Sequence, residues 1–221
     1  MSGRSEKTRR PPRTARAAAG ALAAAWLLAA AALPGCPDAE KRKDARMSEP
    51  RTVPDAVVVM ETTEGKIRLR LDGAKAPIST ASFLAYVKDR HYDGTIFHRV
   101  MPGFMIQGGG FAPDMTQRST RDAIRNESAN GLTNARGTLA MARTNDPHSA
   151  TAQFFINLAD NDFLDRKRAA DGWGYAVFGR VVEGMDVVDR IAKVRTRTVG
   201  AHEHVPIEPV VITSVRVESG S

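Results

Sequence analysis

The sequence predicts a mostly β domain carrying two helices, on three observations. Short apolar segments separated by Gly, Asn and Asp recur between Val57 and Val217. Only two stretches switch to helical spacing. The chain ahead of Asp55 divides into a basic, an apolar and a polar segment, none of which follows either pattern. Many strands with two substantial helices suit a closed barrel whose ends the helices cover, and pattern alone leaves an α+β sandwich open. No internal repeat is present, and 221 residues suffice for one domain plus appendages.

The elements follow in order. Arg4, Lys7, Arg9, Arg10, Arg13 and Arg16 precede an apolar run from Ala17 to Leu33, which ends in Leu33-Pro34-Gly35-Cys36. Basic, apolar and small-residue segments in that order predict a secretory signal peptide over residues 1–35. The run of 17 alanine-rich residues is short for a permanent membrane span, which needs about 20. Arg9-Arg10 resembles a twin-arginine signal, but Pro11 and Pro12 stand where apolar residues are expected. The Leu-x-Gly-Cys ending resembles a bacterial lipobox and makes Cys36, the sole cysteine, the expected lipidation site. Residues 36–54 then read as the lipidated cysteine and a polar, flexible tether, and 55–221 as the folded domain. These features place the protein in a bacterial cell envelope, lipid-anchored and facing the periplasm or the exterior.

Within the domain, Val57–Thr62 and the strictly alternating Lys66–Leu71 form a hairpin about Glu64-Gly65. Pro77–Asp89 is helical, with Phe83, Leu84 and Val87 on one face behind Ser79 and Thr80, and it stops before Tyr92-Asp93-Gly94. Strands follow at Ile96–Val100, Phe104–Gln107, Thr138–Ala142, Phe154–Asn157 and Ala176–Val182. Met185–Val194 regains helical spacing, and Val210–Val217 is a last β-branched strand. The net charge of +7 is mostly leader: residues 1–35 carry six basic residues and one acidic, the rest 26 basic and 24 acidic. The basicity therefore gives no reason to expect nucleic acid binding, and no nucleic-acid motif is present. Without heptads or a long exposed apolar helix, a monomer is expected.

The segment Phe97–Phe111, F-H-R-V-M-P-G-F-M-I-Q-G-G-G-F, sets one cation and one amide among apolar side chains. An arginine in such a run loses solvation unless it finds a partner or keeps its guanidinium in a cleft, which makes Arg99 the residue to explain. Downstream come G-T-L-A-M-A-R-T (Gly137–Thr144), S-A-T-A-Q-F-F-I-N (Ser149–Asn157), D-F-L-D (Asp162–Asp165) and G-Y-A-V-F-G (Gly174–Gly179). In order and approximate spacing these blocks resemble the cyclophilins, peptidyl-prolyl cis/trans isomerases, and M-A-R-T with D-G-W-G-Y resembles the bacterial type.

The resemblance implies a closed eight-stranded antiparallel β-barrel capped by two α-helices, and catalysis of X-Pro bond rotation in exported or envelope proteins, assisting their folding, without cofactor or metal. It places the catalytic arginine at Arg99, and the proline pocket at Phe104, Met105, Phe155 and Leu164. Gln107 and Gln153 would engage the peptide backbone, Ala142 would let it approach, and Arg143 and Thr144 would flank the groove. Phe163 stands where the best-known eukaryotic members have tryptophan, and Tyr175 where they have histidine. Both keep a ring in the wall, but Phe163 lacks the indole donor that binds cyclosporin, so weak binding of that drug is expected.

The chemistry fits an amide substrate. Resonance sets a barrier of ~18–20 kcal/mol to rotation about a peptide bond, and a twisted amide acquires a lone pair on nitrogen. A fixed cation near that nitrogen favours the twisted state over the planar one, and only such a difference accelerates the step. Strand alternation points His98 away from Arg99 and makes it a packed histidine, while His202 and His204 read as a solvated loop before Pro206. Two rival readings stand beside the isomerase: a non-catalytic proline-peptide binding module using the same groove, and a hydrolase built on His148 and Ser149.

Overall fold

The computed structural model describes residues 53–218. The predicted leader, Cys36 and nearly all of the tether lie outside the described residues. Among the described residues no helix is long and apolar enough to cross a membrane.

Among the described residues ten strands and two α-helices run in the order β1 (Ala56–Thr62), β2 (Gly65–Leu71), α1 (Pro77–Lys88), β3 (Thr95–Met101), β4 (Met105–Gly108), β5 (Thr138–Met141), β6 (Phe154–Asn157), β7 (Val177–Glu183), α2 (Met185–Ile191), β8 (Thr196–Val199), β9 (His202–Pro206) and β10 (Val211–Val217). Eight of the strands close an antiparallel barrel in the order β1-β10-β3-β4-β6-β5-β7-β2. The barrel, not the sandwich, is the arrangement these strands adopt. Closure leaves no free edge, so short strands such as β4, β5 and β6 keep a partner on both sides.

The interior is packed with side chains. Val58 and Met60 from β1, Ile67, Leu69 and Leu71 from β2, and Leu139 and Met141 from β5 all point inward at the two-residue period of a strand. Helix α1 covers one opening and inserts Phe83, whose ring meets Tyr92 at 4.9 Å, Phe178 at 5.4 Å and Phe154 at 5.6 Å. The α1 N-terminus is capped from outside the helix. Pro77 occupies its first turn, and Glu127 accepts hydrogen bonds from the Ile78 and Ser79 amides at 2.9 and 2.7 Å. Helix α2 adds Val187, Val188 and Ile191 to the same core.

Two expectations need correction. The segment around His202 and His204 is not a solvated loop but β9, paired with β8 in a hairpin that packs on β3. Around β8, Thr196 and Thr198 alternate with Arg195 and Arg197 ahead of Val199 and the turn at Gly200-Ala201, a strand signal that the histidines obscured. Second, His98 and Arg99 do not alternate across β3. A β-bulge sets Phe97 opposite Gly108 and Arg99 opposite Gln107, and both Phe97 and Val100 face the interior. The two residues between them therefore share the outer side of the barrel.

Candidate active site

Strands β4, β5, β6 and the start of β7 place apolar side chains on both faces, which accounts for a run such as Phe154–Ile156 being buried throughout. Ile106, Leu139 and Ile156 fill the barrel, while Met105, Ala140, Phe155 and Val177 form a second cluster on the outside. Around that outer cluster lie Met101, Phe104, Leu132, Ala142, Leu164 and Tyr175. An apolar surface outside a closed barrel needs a cover, and these flanking residues leave Met105, Ala140, Phe155 and Val177 no more than 4% exposed.

Register lines up the polar groups with this surface. Arg99 pairs with Gln107, Gln107 with Phe155, and Phe155 with Ala140, so the four form one transverse row over β3, β4, β6 and β5. Neighbouring strands stand about 5 Å apart, which puts the Phe155 strand roughly 10 Å from that of Arg99, the span of a short peptide turn. Arg99 is half-buried and, among the described residues, makes no ion pair. Gln107 donates through Nε2 to Gln153 Oε1 at 2.9 Å, which holds the Gln153 amide against the row at Gln107.

The walls are held by buried polar groups. Asn161 donates to the Phe104 carbonyl at 2.9 Å and to Asn157 Oδ1 at 2.8 Å, and Asn157 donates to Thr138 Oγ1 at 2.9 Å. Asn134 adds bonds to Asp165 and Asn157, and Tyr175 N–H donates to the Leu164 carbonyl at 2.9 Å. Phe163, 53% exposed, stacks on Phe104 with ring centres 5.7 Å apart. Tyr175 meets Phe155 edge-on at 5.6 Å. Gly174, at φ +65°, admits this approach, since a Cβ there would lie 2.4 Å from the Leu164 carbonyl oxygen. The sequence blocks contain Asn157 and Gly174 but do not show their roles, because a buried Asn carries no periodic signal and the close approach of Gly174 to Leu164 is a tertiary contact.

Arg143 does not reach into the groove. Its side chain is only 4% exposed and pairs with Asp171, donates to the Gly174 and Thr144 carbonyls, and lies 4.5 Å over the Tyr175 ring. Asp171 is held down to about 2 by the Gly174 and Trp173 amides first and by Arg143 after them. Thr144 lies at the exposed rim and hydrogen-bonds the Ser149 hydroxyl at 2.8 Å.

His98 is buried to 5% exposure, with its ring 4.6 Å from Phe111 and Nδ1 without a hydrogen-bond partner. Burial, then the neighbouring His202 and Arg99, push its pKa down to about 4. A histidine so poised stays neutral in the physiological range. The hydrolase geometry is absent: the Ser149 hydroxyl donates to the Asp146 carbonyl at 2.7 Å, and His148 Nδ1 accepts from the Asn126 amide at 3.1 Å. Neither group activates the other. Among the described residues no group of three or more His, Cys, Asp or Glu could hold a metal ion.

The sequence profile of the family "Cyclophilin type peptidyl-prolyl cis-trans isomerase/CLD" matches residues 57–217, the whole barrel. The chain belongs to this family. A peptidyl-prolyl cis-trans isomerase of Streptomyces antibioticus is 58% identical over 163 residues, which cover 73% of this chain and 98% of that protein. Peptidyl-prolyl cis-trans isomerase B of Escherichia coli is 55% identical over 162 residues, covering 73% and 99%. Among solved structures, a Cryptosporidium parvum cyclophilin determined in the presence of the dipeptide Ala-Pro superposes with a TM-score of 0.64 at 25% identity, covering 74% of this chain and 99% of that one. The closed eight-stranded barrel with two helices is the cyclophilin fold, and the enzyme class of this cyclophilin is peptidyl-prolyl isomerase.

Proposed function

We propose that this cyclophilin catalyses X-Pro rotation in the groove outside β4, β5 and β6, with Arg99 supplying the transition-state stabilisation. The observation that carries the reading is the position of Arg99: a half-buried cation in register with Gln107 and Phe155, with no carboxylate beside it among the described residues. Arginines that brace the barrel wall, such as Arg68, Arg136 and Arg216, are paired with carboxylates.

In this reading the proline ring rests on Met105 and Phe155 between the Phe104 and Leu164 walls, with Tyr175 and Phe163 closing the far side. Gln107 and Gln153 hold the backbone on the N-terminal side of the proline, and Ala142 leaves room for the chain. The Arg99 fork engages the substrate carbonyl and faces the prolyl nitrogen, whose lone pair appears only as the amide twists. No proton moves and no bond breaks, so no titrating group is required. Arg143 acts indirectly by fixing Tyr175 and Gly174, and Thr144 forms part of the rim. The substrates are proline-containing polypeptides, the protein works as a monomer, and it needs no cofactor.

The cellular setting follows from the leader. Lipid on Cys36 would tether the domain to the envelope, where newly exported chains fold, on the periplasmic or external side. Stable anchoring takes more than one acyl chain. Mass spectrometry of the membrane fraction should find an N-terminal acylated Cys36, and an unmodified cysteine in the mature chain would remove the anchor from the proposal. Exchange spectroscopy on an X-Pro peptide tests the groove itself: peptide binding without accelerated exchange would favour the non-catalytic binding module.

A further inference from the structure

Gly110 follows β4, and its backbone gives no reason for glycine. Neighbouring Gly109 is left-handed at φ +84°, but Gly110 is not, so any residue could adopt its conformation. The space is what excludes a side chain. A Cβ on Gly110 would lie 2.6 Å from Gln153 Cγ and 2.7 Å from both Cδ and Nε2.

Neither backbone can retreat. The Gly110 carbonyl accepts from the Arg118 amide at 2.9 Å, the Phe111 carbonyl accepts from the Ile96 amide at 2.9 Å, and the Gln153 carbonyl accepts from the Ala142 amide at 3.0 Å. A methyl group at 110 would therefore be accommodated by rotation of the Gln153 side chain, which breaks its 2.9 Å bond with Gln107. Gln107 stands between Arg99 and Phe155 in the transverse row.

We propose that Gly110 is a positioning residue for the isomerisation: its missing side chain is the slot that holds the Gln153 amide against Gln107 at the end of the groove. This rests on the reading of Gln153 as a peptide-binding residue. Gly110 touches no substrate and acts only through Gln153.

The test is a double-mutant cycle on the full chain with Gly110→Ala, Gln153→Ala and the pair, reading kcat and KM on an X-Pro peptide. Each single change should lower kcat/KM by roughly 3- to 10-fold, the size of one neutral hydrogen bond lost, chiefly through KM. The pair should be no worse than Gln153→Ala, because truncating Gln153 makes room for the methyl group. The Gln107 side-chain amide resonances should shift alike in both single variants, a signal that general destabilisation does not produce. Losses that multiply in the pair, or a fully active Gly110→Ala beside an impaired Gln153→Ala, overturn the proposal and leave the groove assignment standing. A fully active Gln153→Ala overturns both. Should Gly110→Ala fail to fold, a pair that folds and matches Gln153→Ala supports the proposal, and a pair that also fails to fold overturns it.

Discussion

Acidification should destabilise this domain through His98, by an amount the structure allows to be worked out. His98 is buried between Phe111 and the neighbours His202, Arg99 and Gln153, and its pKa is down to about 4 from the ordinary 6.5. The unfolded chain therefore takes up a proton near pH 6.5 that the folded one refuses until about pH 4. Stability from this group is complete above pH 6.5 and is lost as pH falls toward 4. At 1.36 kcal/mol per pH unit the full loss is about 3 kcal/mol, of which about 2 kcal/mol appears between pH 7 and pH 5. Denaturant titration of wild type and His98→Gln at those two pH values isolates it. His91, whose pKa burial also lowers, contributes equally to both proteins and cancels. The wild type should lose about 2 kcal/mol more than the variant. Equal losses would refute the argument that His98 is buried and kept neutral.

Three further outcomes follow from the same geometry. The isomerisation rate should be nearly flat from about pH 6 to 9, since His98 is neutral throughout and no proton transfer occurs; a bell-shaped profile removed by His98→Gln would give the histidine the catalytic part. Arg143→Ala should destabilise the domain by about 2–3 kcal/mol, because the Gly174 carbonyl loses charged donors and Tyr175 its cation, with a raised KM as the wall loosens; an unchanged melting temperature and KM would contradict it. Phe163→Trp should tighten cyclosporin binding by roughly 2- to 10-fold, one neutral hydrogen bond, measured by titration of both proteins. Unchanged affinity would move control of the drug to another wall residue.

The barrel and the groove were legible to different depths. Strands with clean alternation, such as Lys66–Leu71, and the helix behind Pro77 declare themselves, because a half-buried element must repeat with its own period. The choice of barrel over sandwich depends on which strands pair, and that comes from the family resemblance and not from periodicity. The bulge at His98-Arg99 was invisible because nothing local in F-H-R-V marks an extra residue, yet it determines that both side chains face outward. Glu127 as the cap of α1, Asn157 on Asn134 and Asn161 on the Phe104 carbonyl join residues far apart in sequence, and polar types give no face to read. Arg143 shows the limit of motif transfer: the M-A-R-T block locates it beside the groove, but only the contacts show its guanidinium spent on Asp171, Gly174 and Tyr175.

The catalytic assignment stands or falls on Arg99. A ~10⁵-fold acceleration needs about 7 kcal/mol, more than apolar positioning in an open groove supplies without an electrostatic contribution. Exchange spectroscopy on an X-Pro peptide with wild type, Arg99→Ala and Arg99→Lys measures that contribution directly. Arg99→Ala should lose at least about 10²-fold in catalytic efficiency with the barrel still folded, and Arg99→Lys should recover only part, since a point charge cannot serve the carbonyl and face the nitrogen together. A folded Arg99→Ala that isomerises the peptide at the wild-type rate would contradict the mechanism.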